Sequence, residues 1–454
     1  MKGKSPDQNQ MNLLQNSLKD MLNPKEELYL LTEKMDWDYF EETFGSYYID
    51  FGRPAKPIRL MVSLLILKQL HNISDDVVVR HWRQNPYWQY FSGMDVFQWD
   101  FPCTPSDLTH FRNRIGKKGA EKILEHSIKL HGEDALESEV LVDSTVQEKN
   151  ITFPTDVKLY RKIINKSRKI AKQASVDLRQ SYVRVEKELL LLQRFRHHPR
   201  NKKKALAAQR KLRTIAGRLI RELERKLDRQ VLEKHARFFT TANKVMGQQR
   251  GDREKVYSLH EPEVYCISKG KEAKKYEFGT KASICMTKNS GIIVGAMNIH
   301  NQYDGHSLPK VLSQVAELTG QSPKAAIVDR GYRGRKQIEQ TSIIGPTSGK
   351  GKSNYERQKA RKRFRRRAGI EPVIGHLKSD HRMLRNYLKG TAGDDINILL
   401  SSAAFNYKKM LRKLRSFLVL INYGLKNSLD HLFSSYWIIW KPLKTEILWQ
   451  MRTS

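Results

Sequence analysis

Two short apolar runs, each ending in an aspartate, constrain this 454-residue chain more than any other feature. Val140-Leu141-Val142 leads into Asp143, and residues 325–328 lead into Asp329. Runs this short, aliphatic and bounded by polar residues read as buried strands. Residues 281–287 and 292–298 flank Lys288-Asn289-Ser290-Gly291 and read as a hairpin whose Asn and Gly supply the turn. Residues 308–318 have helical spacing, and Ile343-Ile344 reads as a further strand. The expectation is a mixed sheet with flanking helices. If the two runs lie side by side in it, Asp143 and Asp329 come to one edge.

Several classes are excluded. The most apolar stretches, 60–67 and 417–421, fall far short of the roughly 18 residues a membrane-spanning helix needs. The first 20 residues carry no apolar core of a secretory signal. Cys103, Cys266 and Cys285 stand far apart, in no pattern suited to zinc or a disulfide framework. The reading is a cytoplasmic protein with no membrane partner. Lys and Arg total 83 against 48 acids, a formal charge of +35. An excess this large points to a polyanion, nucleic acid first.

The charge is concentrated. Residues 158–237 hold 26 Lys or Arg against 7 acids, +19 in 80 residues. Leucines and isoleucines recur there at three- and four-residue spacing, and His197-His198-Pro199 interrupts them. The pattern predicts two long helices folded back at the proline. Two roles stay open: a solvated, dimerising coil, or an arm whose basic face, including Lys202, Lys203 and Lys204, lies along DNA phosphates. Ahead of the arm, residues 57–69 read as an apolar helix, Ser74-Asp75-Asp76 as a capped start, and Pro105-Ser106-Asp107 as another. Arg112 and Arg114 follow, so the third helix is basic. Three short helices of this kind suit a helix-turn-helix-like DNA reader. Trp82, Trp88 and Trp99 are expected in its core.

Two adjacent carboxylates do not both stay ionised without a cation. Hard oxygen ligands with open positions suit Mg²⁺. A third carboxylate completes a two-metal site of the kind that activates an attacking oxygen and stabilises a leaving one. Glu371 is the candidate. At about 100° per residue, Phe364, Arg367, Glu371 and Lys378 fall within one roughly 60° stripe of a helix. Pro372 disturbs that helix, and Glu371 alternatively caps one that begins there. Asp304 or His306 could stand near the same metals, although a capped turn ahead of residue 308 is the simpler reading.

These motifs resemble those of the DDE transposases of bacterial insertion sequences, the insertion-sequence-four and -five group. The group's signature is Tyr, two residues, Arg, three residues, Glu, six residues, Lys. The chain has Phe364, Arg367, Glu371 and Lys378 at that spacing, with Phe where the family has Tyr. Val142-Asp143-Ser144-Thr145 resembles the first aspartate motif, and Asp329-Arg330-Gly331-Tyr332 the second. Leu259-His260-Glu261-Pro262-Glu263, Lys269-Gly270-Lys271 and Tyr276-Glu277-Phe278-Gly279 are also similar. The 41 residues between Asp329 and Glu371 match the shorter spacing of the insertion-sequence-five branch.

The resemblance implies an α/β RNase H-like catalytic domain, a mixed sheet with flanking helices, behind an all-α N-terminal DNA-binding domain and carrying a long helical insertion. The implied organisation is a disordered tail at 1–25, the helical domain at 26–135, the catalytic domain at 136–157 and 255–415, the insertion at 158–254, and a C-terminal tail at 416–454. Asp143, Asp329 and Glu371 take the catalytic and metal-ligand roles, with Mg²⁺ as cofactor and Mn²⁺ able to substitute. Arg367 and Lys378 take the transposon-end contacts. The partners are double-stranded transposon ends and target DNA, with a homodimer joining two ends. The alternatives are a non-catalytic DNA-binding descendant of a transposase and another RNase H-like nuclease.

Overall fold

The computed structural model describes residues 16–418 apart from 50, 52, 250, 269–274, 300, 301, 333 and 347–352. Seven helices come first: α1 (Leu18–Met21), α2 (Glu27–Lys34), α3 (Trp37–Gly45), α4 (Ile58–Leu70), α5 (Asp75–Trp82), α6 (Pro86–Phe91) and α7 (Pro105–Lys129). The predicted caps are present. Ser74 accepts from Val77 N, and Thr104 forms a capping box with Asp107. α4 is apolar almost all round and is buried along nearly its whole length, so it is the hub of this region.

Three expectations change here. Leu18 and Leu22 are buried in the core, so the expected tail at 1–25 is ordered and packed from α1 onward; residues 1–15 lie outside the described residues. The third helix is long rather than short: α7 has 25 residues, kinked at Gly116 with φ 58°. Its Leu108, Phe111, Ile115, Ile123 and Leu124 face inward. Trp82 and Trp88 are core, but Trp99 is 80 % exposed.

The sheet begins with β1 (Glu139–Lys149) and continues with β2 (Tyr265–Ser268), β3 (Tyr276–Thr287), β4 (Ile293–Ile299), β5 (Ala325–Ile327), β6 (Gln337–Ile338) and β7 (Thr341–Ile344). Its order is β2-β3-β1-β5-β7-β6, with β4 also on β3. β1 is antiparallel to β3 and parallel to β5, and β5 is parallel to β7. β1 does not end at Asp143 as expected but runs six residues further, and Thr145, Gln147 and Lys149 on that extension are buried. Polar residues hid it from a hydrophobicity reading. They are buried because they are satisfied: Lys149 Nζ lies 2.6 Å from Asp394, and Gln147 Oε1 accepts from Asn397 at 2.7 Å.

The insertion folds as a bundle rather than two helices: α8 (Asp156–Gln173), α9 (Val183–Leu191), α10 (Pro199–Lys226), α11 (Arg229–Lys234) and α12 (Ala236–Gly247). Pro199 is the first residue of α10, where its missing N–H costs nothing. Ile163, Ile170, Leu212, Leu219 and Leu223 pack into a core of its own. The apolar stripe that suggested a dimerising coil is therefore largely consumed inside one chain. By contrast, the N-terminal helices and the sheet share one continuous core.

α13 (Asp304–Thr319) crosses between β4 and β5, and the remaining helices follow β7. α14 (Asn354–Arg365), a 3₁₀ turn over Arg366–Gly369, and α15 (Ile370–Ser379) lead to β8 (Arg385–Asn386), which pairs with β1 at Glu148 and Lys149. A last helix, α16, spans 390–418. Its buried Asn406 completes the β4 backbone: Oδ1 accepts from Ile293 N and Nδ2 donates to Ile293 O, both at 2.9 Å. The C-terminal tail lies, from residue 419, outside the described residues. No described helix is long and apolar enough to cross a membrane.

Candidate active site

The parallel register of β1 and β5 builds the site. Leu141 stands opposite Ile327, and two residues further along each chain come Asp143 and Asp329. Successive side chains alternate faces and neighbouring strands lie about 4.8 Å apart, so continuing this register past the end of β5 would bring the two aspartates to one level, and both charges act on the Tyr332 phenol. Asp143 Oδ1 accepts from Ser144 N at 2.8 Å. Asp329 Oδ1 accepts from Gly331 N at 2.7 Å, which turns the chain sharply after β5. A Cβ on Gly331 would stand 2.9 Å from Asp329 Oδ1 and 3.5 Å from Asp304 Oδ2. The glycine of Asp-Arg-Gly-Tyr thus keeps open the space between two carboxylates.

Asp304 is therefore part of this neighbourhood as well as the first residue of α13. Its carboxylate also pairs with Lys281 Nζ at 3.2 Å. The simpler sequence reading took it as a turn former only; no sequence signal distinguishes the two, because the approach of the 303–306 turn to Gly331 is tertiary. Tyr332 packs beneath. Burial, and then the nearby charges of Asp304, Asp143 and Asp329, hold its phenol far above the usual range, so it keeps its proton. The Ser283 hydroxyl lies beside it and partly offsets that rise.

Glu371 sits at the second position of α15, where a negative charge faces the helix N-terminus. Pro372 is third, so its missing N–H is one that the first turn leaves unpaired anyway. Ile370 and Leu377 anchor α15 in the core, while the Glu371 side chain is 65 % exposed. Arg367 bridges the parts. It donates to Asp143 Oδ2 at 3.0 Å and to Glu371 Oε1 at 3.5 Å, and its guanidinium lies 5.6 Å from the Phe364 ring centroid. The expected helical stripe is interrupted by the 3₁₀ turn, yet Arg367 and Glu371 still meet across four residues.

Two of the expected DNA contacts are placed differently. Arg112 is 3 % exposed, with both guanidinium nitrogens on Asp75 at 2.9 and 2.6 Å, so it is a buried ion-pair partner rather than a displayed base reader. Arg367 is only 18 % exposed and is engaged by carboxylates. Arg114 is exposed, lying 4.5 Å over the Tyr48 ring. Lys202, Lys203 and Lys204 are exposed on the first turns of α10. Lys378 is half-buried at the end of α15. Lys269-Gly270-Lys271 lies outside the described residues, whereas Glu261 of the neighbouring motif is buried and accepts from Gly390 N at 3.0 Å, tying the segment after β8 to the sheet.

The donor chemistry suits a divalent cation. Two hard carboxylates stand in register, and the guanidinium on Asp143 supplies positive charge where a cation is needed. Among the described residues no three His, Cys, Asp or Glu side chains converge as a complete metal cage, and Arg367 lies between Asp143 and Glu371.

Two segments of the chain match known families, one N-terminal and one from residue 258 onward. Residues 258–407 match the transposase DDE domain, and residues 16–114 match a transposase domain of undefined function, DUF772. A protein of Rhizobium meliloti described as "Uncharacterized protein ORF8 in nfe locus" is 38 % identical over 209 residues, 44 % of this chain and 99 % of that protein. No solved structure matches the chain significantly. The DDE match holds Asp329 and Glu371, while β1 with Asp143 lies between the two matched segments, and together the two matches make the chain a transposase. The chain belongs to the DDE transposases of insertion sequences, with the helical transposase domain ahead of its catalytic sheet. That family acts on DNA and uses a divalent metal.

Proposed function

We propose that this transposase binds the terminal inverted repeats of its own insertion sequence, cleaves the DNA there and joins the freed 3′ ends to target DNA. The observation that carries the reading is the register that sets Asp143 beside Asp329, with Glu371 one guanidinium away. Asp143 and Asp329 would hold Mg²⁺ or Mn²⁺, with Glu371 as the third ligand. The metal supplies Lewis-acid stabilisation of charge on the scissile phosphate and its attacking and leaving oxygens. The chain's own residues do the rest. Ser144 N and Gly331 N each occupy one lone pair of an aspartate and so fix the direction of the other oxygen. Tyr332 stays neutral and keeps the floor of the site dry. Arg367, on leaving Asp143, is free to turn to a DNA phosphate, which supports the family role for it. Lys378, Arg114 and the three lysines of α10 are further cations for the backbone, and a homodimer would bring two ends together. The 41-residue spacing supports the insertion-sequence-five branch.

The test is a plasmid carrying the element's ends. Asp143→Ala, Asp329→Ala and Glu371→Ala should each abolish nicking at the ends while DNA binding stays within a few-fold of wild type. Near-normal nicking by any of the three removes that residue from the triad.

A further inference from the structure

A cleft of about 1030 Å³ lies between the N-terminal helices and the chain that follows α15. Its floor is a buried cluster with one carboxylate and two cations. Asp75 receives Lys68 Nζ at 2.7 Å and both nitrogens of Arg112, and the two cationic side chains are 8 % and 4 % exposed. One negative charge neutralises only one of them. An unbalanced charge out of water is costly unless an anion arrives. Burial, and then Arg112 beside it, lower the Lys68 pKa to about 8, the mark of that imbalance.

The opposite wall adds more positive charge. Lys378, Arg382, Arg385 and Lys389 all line the cleft, against the single carboxylate of Asp75. Arg382 adopts φ 62°, a left-handed conformation that non-glycine residues rarely hold without tertiary reason. It donates to Asn72 O and lies 5.4 Å from the Tyr387 ring centroid. Tyr387 is 58 % exposed, an aromatic face backed by a guanidinium. Lys149, Asp394 and Glu261 pin this wall to the end of β1.

The cleft is also tied to the paired aspartates. Along α15, Lys378 is seven residues from Glu371, about 10 Å. Along β1, the residue paired with Arg385 is five residues from Asp143, about 16 Å. Phosphates along one strand of a duplex are about 3.4 Å apart in rise, so a strand passing the aspartates reaches the cleft within a few nucleotides. The cleft, of about 1030 Å³, has room for a short run of one strand.

We propose that this cleft binds unpaired DNA next to the cleavage site, with the phosphodiester backbone on its cations and a base stacked on Tyr387. The inference rests on Asp143 and Asp329 being that site. Stacking on an aromatic face and contact with cations are together the usual means of holding a single strand without regard to sequence.

The experiment uses the full-length protein, fluorescence anisotropy at several salt concentrations, and two probes. One is a blunt duplex; the other is the same duplex with an unpaired tail of roughly six nucleotides. Wild type should bind the tailed probe more tightly. Arg385→Gln with Lys389→Gln, both on exposed side chains, should remove that gain. They should also flatten the salt slope on the tailed probe by about 0.7 per lost phosphate contact, with the blunt duplex unchanged. Tyr387→Ala should lower tail-dependent affinity about fivefold or more. Unfolding midpoints equal to wild type will confirm that the variants are folded. No tail gain in wild type, a gain that survives the variants, or equal losses on both probes overturns the proposal. Asp143→Ala should keep the tail gain, so a failed assignment of the cleavage site is read in nicking and a failed cleft is read in binding.

Discussion

Gly331 shows how much a single position decides. The turn after β5 aims Asp329 by letting the Gly331 N–H reach Oδ1 at 2.7 Å, and the absence of a side chain leaves room for Asp304 opposite. Gly331→Ala places a methyl group 2.9 Å from Asp329 Oδ1, closer than real Cβ contacts come. Asp329 has a short side chain already bonded to Gly331 N, so its carboxylate must shift from its present direction. The expected outcome is a loss of nicking of at least about tenfold, as small misplacements at reacting groups produce, with an unfolding midpoint near that of wild type. Nicking at wild-type rate would mean that the Asp329 direction does not matter. The motif residue legible in sequence was Asp329; the reason for its glycine neighbour was not, because Asp304 approaches from a helix 25 residues away in the chain.

At the scale of elements, what sequence reveals depends on whether a segment's chemistry matches its burial. The β3–β4 hairpin, α5 and the start of α7 follow their apolar periodicity and caps, and were legible. The second half of β1 was not, because Gln147 and Lys149 look like surface residues until Asn397 and Asp394 supply their partners. Arg112 misleads for the same reason: its partner Asp75 lies on another helix. In the insertion the leucine spacing was right, but spacing alone does not say what a stripe packs against, and here it is the bundle's own core. The exposed cations of α10 remain for DNA. Lys202→Gln, Lys203→Gln and Lys204→Gln together should weaken binding to all duplexes alike. They should also flatten the slope of log affinity against log salt by up to about 2 to 3 units if all three meet phosphates. An unchanged slope in titrations at several salt concentrations would place these charges in solvent instead.

The whole molecule joins its helical region and sheet through one core, and buried histidines lie along that seam. His126 Nδ1 lies 2.9 Å from Tyr407 Oη, His131 meets Asn406 O, and His381 meets Gln69 O. Burial lowers all three, His126 to about 4. Above pH 6.5 these rings are neutral in both states. Between about 6.5 and 4 the unfolded chain takes up protons that the native state refuses, so stability falls as the pH falls. Going from pH 7.5 to 5 should cost about 2 kcal/mol from His126 alone. Denaturant midpoints at the two pH values measure it, and a midpoint that holds or rises at pH 5 contradicts the assignment. Whether Asp143 and Asp329 form one cation-holding pair is read from Asp329→Asn in single-turnover nicking with Mg²⁺. The substitution keeps the size of the side chain and an oxygen for the Gly331 N–H, and removes only the charge. The rate should fall by about a thousandfold or more, the order by which removing a key electrostatic group slows such chemistry; nicking within tenfold of wild type would rule the pair out.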